Sequence, residues 1–259
     1  MGKIVMLKYI YSRKFEKGEY SNDPAADEDR FRTISRIFDD GQEYIEAKPA
    51  KLEDISRAHS ERHFESIKRD KYLYRMALLA AGGAIQAAEL AFEKIPSFAV
   101  IRPPGHHASR MSAWGFCFFN NMAIALLKLK NDGKINSAFI LDFDLHVGDG
   151  NINILSEYDN MNIFNPDGAT NVEYIAQIQQ KFDSMSNKPH DIFAVSAGFD
   201  QGIHDWGKLL TPEDYTKIGK MCKKFSKQNC NDRRFAILEG GYNHDEIGTN
   251  MLAFCKGFE

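Results

Sequence analysis

The sequence predicts an α/β protein: a three-layer αβα domain around a mainly parallel central sheet. Two observations carry that expectation. From Phe98 onwards, short apolar runs alternate with longer amphipathic ones, the pattern of parallel strands joined by helical crossovers. Four polar clusters, at residues 103–107, 142–150, 197–205 and 239–243, each follow a predicted strand directly. In an open parallel sheet, ligands bind in the crevice beyond the carboxyl ends of the strands. No repeat, low-complexity segment or linker divides the chain, so residues 1–259 are expected to form one domain.

Residues 3–10 read as the first strand. Residues 11–29 are polar and charged, with Asn22-Asp23-Pro24 as a turn signal, and are expected as a surface loop. Phe31, Ile34, Ile37 and Phe38 recur at helical spacing over 29–38, and 58–69 is a second short amphipathic helix. The longest helical pattern runs over 72–94, and its Ala80-Ala81-Gly82-Gly83-Ala84 stretch suits close packing. Strands at 98–102, 137–144, 161–164, 191–199 and 235–239 then alternate with helices at 119–129, 150–157, 172–182, 212–226 and 244–258.

Composition excludes several classes. The chain of 259 residues is 43% hydrophobic, enough for a substantial core. Its 33 basic and 36 acidic residues leave a net charge of −3 with no long basic run, so nucleic-acid binding is not expected. Cys117, Cys222, Cys230 and Cys255 form no C-x-x-C pair, which argues against a zinc ribbon or disulfide framework and suits a reducing cytoplasm. The first apolar run is too short and too charged for a secretory signal, and none approaches the roughly 18 residues of a membrane span. A soluble protein is expected; its oligomeric state is left open.

The chemistry centres on ILDFDLHVGDGN at residues 140–151. Asp142, Asp144 and His146 recur at a spacing of two, so on a continuing strand they share one face. Two carboxylates and an imidazole at a buried strand end are costly unless they hold a cation. Asp200, directly after the next strongly apolar strand, completes a one-nitrogen, two-carboxylate set with Asp144 and His146. Three protein ligands with an open position suit catalytic zinc, and ferrous iron suits the same donors. Asp142 and Asp149 are left as carboxylate supports, although Asp149 alone would read as a helix N-cap. His106 and His107 follow a Pro-Pro-Gly bend and can act as a proton-transfer pair if carboxylates back them. Residues 112–121 are unusually aromatic for a loop and can wall a narrow channel. Tyr242, after Gly240-Gly241, is a suitable hydrogen-bond donor to an oxyanion.

Together, IRPPGHHA, GFCFFNNMAIA, LDFDLHVGDGN, VSAGFD and LEGGYN resemble, in order, the zinc-dependent histone deacetylase and acetylpolyamine amidohydrolase family. The resemblance runs from about Phe98 to Glu259, with looser echoes in Asp23-Pro24-Ala25-Ala26 and Ala58-His59-Ser60. It implies the arginase-deacetylase fold and a single deacetylase-like catalytic domain. Asp144, His146 and Asp200 match the zinc ligands. His107 matches the general base and acid, His106 its electrostatic partner, and Asp142 and Asp149 the carboxylates behind them. Tyr242 matches the phenol that polarises the scissile carbonyl, and Gly115 and Phe116 line the substrate channel. Asp142 and the backbone near Asp144 and His146 resemble a structural potassium site.

Three departures matter. Val147 stands where many relatives carry another histidine, at a position that is not a ligand. Residues 165–168 are shorter than the usual loop and leave the channel's second aromatic wall unassigned. The chain is short for the family, so reduced rim loops are expected. The implied activity is hydrolysis of acetyl or short acyl groups from acetylated amines, whether acetylpolyamines or acetyl-lysine. A protein lysine deacetylase and a non-catalytic deacetylase-like binding module are the alternatives. Binuclear manganese ureohydrolases of the same fold resemble a pattern with a second carboxylate where this chain has Gly202. Asp23, Asp27, Glu28 and Asp29 read by default as solvated surface, but at the rim they would attract a cation.

Overall fold

The computed structural model describes residues 6–259. Its strands are β1 (Lys8–Tyr11), β2 (Tyr44–Glu46), β3 (Ser97–Ala99), β4 (Ala138–Asp142), β5 (Met161–Phe164), β6 (Ile192–Ala197) and β7 (Arg234–Leu238). They form one sheet in the order β2-β1-β3-β7-β6-β4-β5, with every pairing parallel. The helices are α1 (Arg32–Asp39), α2 (Leu52–Ala58), α3 (Glu61–Lys68), α4 (Lys71–Phe92), α5 (Asn121–Asn131), α6 (Asp149–Leu155), α7 (Asn171–Ser184), α8 (Pro212–Asn229) and α9 (Ile247–Phe258).

Strand alternation explains the three layers. Tyr9 and Tyr11 reach Phe38 of α1, and Phe98 reaches Phe254 of α9. Their neighbours point the other way: Ser97 Oγ donates to Ala87 O of α4, and Ile10 lies beside Gly83 of the same helix. The small-residue stretch of α4 is buried as expected. A Cβ at Gly82 would fall 1.8 Å from Lys48 O, and one at Gly83 2.9 Å from Ile101 Cγ2. Phe139, Phe193, Phe182 and Phe225 fill the space between β4, β6, α7 and α8.

Some boundaries differ from the sequence reading. Part of the strand expected over 3–10 falls on residues 3–5, outside the described residues; β1 begins at Lys8. The edge strand β2 was not anticipated. It has only three residues, two of them exposed, so it is held by backbone pairing to β1 and by one ring, Tyr44, against Tyr11 and Phe38. The pattern over 58–69 resolves into the end of α2 and a separate α3, whose N-cap Ser60 accepts from the His63 N–H. Among the described residues, no helix is long and apolar enough to cross a membrane.

His59, between α2 and α3, ties this region to α5. Its Nδ1 lies 3.0 Å from Ser109 O, and its Nε2 accepts the Asn120 N–H at 2.8 Å. That arrangement requires a neutral ring protonated on Nδ1. Burial, aided by His63, pushes its pKa down from 6.5 to about 3. Above pH 6.5 the folded and unfolded rings are both neutral and the contribution is fully present. As pH falls below 6.5 only the unfolded chain takes up the proton, so stability is lost progressively towards pH 3. The expected loss from His59 is about 2 kcal/mol by pH 5. Urea melts from pH 7 to 5 check this: His59→Gln should be less stable at pH 7 but show a shallower decline. An equal decline in both proteins removes His59 as the cause.

Candidate active site

β3, β7, β6 and β4 are consecutive in the sheet, although widely separated in sequence, and each delivers one of the four polar clusters at its carboxyl end. The sequence reading carried the strand through Asp144, but β4 stops at Asp142. Strand alternation is therefore not what brings Asp144 and His146 together. Beyond Phe143 the backbone turns to carboxylate acceptors: the Asp144 N–H goes to Asp142 Oδ1, Leu145 N–H to Asp200 Oδ1, and His146 N–H to Asp144 Oδ1. Fixing these carboxylates by backbone donors satisfies the turn.

Two of these carboxylates meet at the His146 ring. His146 Nδ1 lies 3.3 Å from Asp144 Oδ1 and 3.2 Å from Asp200 Oδ2. Asp200 Oδ2 is buried without a hydrogen-bond partner, which a carboxylate tolerates when a cation completes it. Burial and then Asp144 push the Asp200 pKa up to about 7. Burial also opposes charge on Asp144, yet His106 and His146 hold its pKa below the ordinary carboxylate value. The two carboxylates draw the His146 pKa up to about 10. Gly198 and Gly240 leave room for the set, since a Cβ on either would fall within 2.6 Å of the Asp144 carboxylate. A two-carboxylate, one-imidazole set with an unpartnered buried oxygen fits a divalent ion. Gly202 offers no donor for a second one, and both oxygens of nearby Asp205 are taken by backbone N–H groups of Trp206, Tyr242 and Asn243. Asp27, Asp29 and His244 form another cluster with ligand spacing, at the surface.

The tandem histidines sit against this set with different backing. His106 Nδ1 lies 3.2 Å from Asp142 Oδ2, and His107 Nδ1 lies 2.7 Å from Asp149 Oδ1. Burial works against charge on His106, but Asp144 and Asp142 outweigh it and raise its pKa well above 6.5. For His107, burial and the neighbouring His106 both lower the pKa, and Asp149 only partly offsets them. Adjacent imidazoles are thus pushed apart in proton affinity, the arrangement that separates an electrostatic role from a base. Asp149 is the first residue of α6, not its N-cap, which is Gly148; its carboxylate serves His107 and Trp114 Nε1 instead. Gly115, at φ +57°, lies so close to His107 that a Cβ would fall 2.4 Å from its Cδ2. Phe116 holds φ 64°, a left-handed conformation that surrounding structure must impose on a residue other than glycine.

Tyr242 stands across from the histidines. Its ring centroid is 5.8 Å from that of Phe116, and the Arg30 guanidinium lies 5.6 Å from its ring. Burial and Asp144 raise its pKa, so the hydroxyl stays protonated. Outside it opens a cavity of about 1010 Å³, with Glu19, Asp23, Asp27 and Glu28 on one side and Trp206 and Tyr242 on the other.

The structure brings Asp142, Asp144, His146, Asp149, Asp200, His106, His107 and Tyr242 to one sheet edge, with Gly115 and Phe116 beside them. Four contributors were missed. Glu239, fully buried, accepts the Gly105 and His106 N–H groups at 2.7 and 3.2 Å and so ties the histidine loop to β7. Its place directly after a strand was the available signal. Arg30 donates to Glu239 O and Gly241 O from just ahead of α1, in a stretch that had read only as the start of an amphipathic helix. Trp114 covers His107 at 3.9 Å, and Trp206 stacks on Tyr242 at 4.0 Å. Trp114 was visible only as part of an aromatic loop, and nothing in its neighbourhood in sequence marked Trp206.

A cation site facing a neutral imidazole and a protonated phenol is equipment for adding water to a carbonyl, and the class it defines is metal-dependent hydrolase. A model of the histone deacetylase domain matches residues 26–165 and 155–258. A probable deacetylase of Archaeoglobus fulgidus is 31% identical over 269 residues, covering 83% of this chain and 74% of that protein. The polyamine deacetylase HDAC10 of Danio rerio is 28% identical, covering 80% of this chain and 39% of that protein. The crystal structure of the HDA15 HD domain superposes with a TM-score of 0.87 at 24% identity, over 98% of this chain and 88% of that one, a likeness of fold. The chain belongs to the histone deacetylase family. Membership implies a catalytic metal, and Asp144, His146 and Asp200, two buried carboxylates and a half-buried imidazole, have the spacing to hold it.

Proposed function

We propose that this chain, as one catalytic domain, hydrolyses the amide of linear acetylated amines to acetate and a free amine. The observation that carries the reading is the pair of adjacent imidazoles, each backed by its own carboxylate, beside the Asp144, His146 and Asp200 set. Those three residues would hold the ion, zinc by preference and ferrous iron as the alternative. When bound, such an ion polarises the amide carbonyl and acidifies water. His107, neutral and anchored through Nδ1 by Asp149, takes the proton of the attacking water and returns it to the departing nitrogen. His106, held cationic by Asp142 and Asp144, keeps His107 neutral beforehand and contributes positive charge to the pocket. Tyr242 donates its hydroxyl to the oxygen on which negative charge develops. Phe116 lines the slot for the amine's methylene chain, with Gly115 admitting its backbone against His107. A structural potassium ion beside Asp142 belongs to the same reading. A binding module without catalysis is disfavoured, because it would have no use for the separated histidines.

The acidic side of the outer cavity favours substrates with a second, cationic nitrogen, such as acetylated polyamines or acetyl-lysine derivatives. The name of the Danio rerio relative points the same way. The test compares kcat/KM for N-acetylspermidine, an acetyl-lysine peptide and an uncharged acetamide of equal length. Exposed charge pairs contribute about 1 kcal/mol at most, so the cationic compounds should lead by roughly fivefold, and less at high salt. Parity with the uncharged compound overturns the cation preference, and turnover of the peptide alone favours a protein lysine deacetylase.

A further inference from the structure

We propose that Trp206 is the second wall of the substrate slot and sets how thick an amine chain can reach the metal set. This rests on the deacetylase reading above. The segment after β5 supplies no aromatic wall: Phe164 lies under Lys181, Asn165 Nδ2 turns to Asp142 O, and Asp167 N–H to Gln177. The loop after β6 does. It starts at Asp200 and closes on itself, with the Gly207 N–H on Asp200 O at 2.7 Å and the Leu209 and Leu210 N–H groups on Gln201 O at 3.0 and 2.8 Å. Asp205 then locks the tip. Its Oδ1 takes the Trp206 N–H, and its Oδ2 takes those of Tyr242 and Asn243, each at 2.7 Å. Through its neighbours Asp205 and Gly207, Trp206 is thereby tied to the backbone of Tyr242 and of Asp200.

Its indole packs against a residue of the metal set, the phenol and the channel phenylalanine. It stacks on Tyr242 at 4.0 Å and 23°, meets Phe116 edge-on at 6.5 Å and 69°, and meets His146 at 6.2 Å and 88°. Yet it remains 49% exposed, and it lines the acidic cavity outside. A ring so fixed and so exposed is placed against a ligand rather than in a core. Carbon atoms in contact lie about 3.5–4.0 Å apart, so a polymethylene chain between two rings needs roughly 7–8 Å. Trp206 and Phe116 now meet edge to face, so an unbranched chain passing between them must part the rings by about the thickness of one methylene, roughly 4 Å, and a branched or aromatic one by more.

The experiment compares N-acetylputrescine with N-benzylacetamide in wild type, Trp206→Ala and Trp206→Phe. The wild type should favour the linear compound. Trp206→Ala should raise the benzyl-to-linear ratio of kcat/KM at least about tenfold, chiefly through KM, the scale of a changed apolar pocket wall. Trp206→Phe should keep most of the preference. An unchanged ratio in Trp206→Ala, or equal losses on both substrates, overturns the proposal. A second measurement needs no turnover. The chain has two tryptophans, so in Trp114→Phe the emission reports Trp206 alone. N-acetylputrescine should perturb that emission saturably, and no change on saturation overturns the wall. If the wild type cleaves neither amide while the emission still responds, the deacetylase reading fails and the wall stands.

Discussion

His146→Ala and Asp200→Ala are each expected to abolish turnover and metal retention together, leaving a folded chain. Both residues belong to one set, and each contributes a ligand atom to it. Losing an outer support costs about 10–100-fold in metal affinity, so losing a ligand of three should exceed that. His146→Ala removes the only nitrogen donor of the set, and Asp200→Ala removes the buried oxygen that has no partner among the described residues. Elemental analysis after dialysis should give one tightly held divalent ion per wild-type chain and well under one in either variant. Two tightly held catalytic ions in the wild type would overturn the mononuclear site, which rests on Gly202 and on the occupied oxygens of Asp205. Metal retained in both variants would move the site elsewhere.

Tyr242→Phe should leave metal content and fold intact and lower kcat by about 10²–10³, the cost of one oxyanion donor. The substitution isolates the hydroxyl. The ring's neighbours, Trp206, Phe116 and Arg30, contact carbon atoms that phenylalanine keeps, and Asp205 holds the backbone N–H rather than the side chain. Because the donor acts on charge that develops during the reaction, the loss should fall on kcat with little change in KM. An unchanged kcat removes Tyr242 from the mechanism. A large rise in KM at constant kcat would make it a binding residue instead.

Much of the site was legible in the chain because its residues travel in short runs after strands. Asp142, Asp144, His146 and Asp149 lie within one such run, His106 and His107 within another, and Asp200 and Tyr242 each follow a strand that periodicity alone identifies. Apolar strands buried on both faces leave their polar residues nowhere to go but the carboxyl ends, so sequence by itself determined the fold class, the sheet edge and the candidate ligands. The tertiary structure decided what depends on the order of strands and on the acceptors chosen by the backbone. Placing β7 and β6 between β3 and β4 brings Glu239 under the histidine loop and Tyr242 opposite it. Ending β4 at Asp142 hands three backbone N–H groups to carboxylates, so a turn and not strand alternation gathers Asp144 and His146. Trp206 has no periodic or motif signature, Asp205 showed only as the end of a polar cluster, and Arg30 only as part of a helical pattern. They matter because a closed loop, a shared carboxylate and a buried guanidinium set them against Tyr242 across more than thirty residues of intervening chain, and contacts at that separation are settled only when the sheet forms.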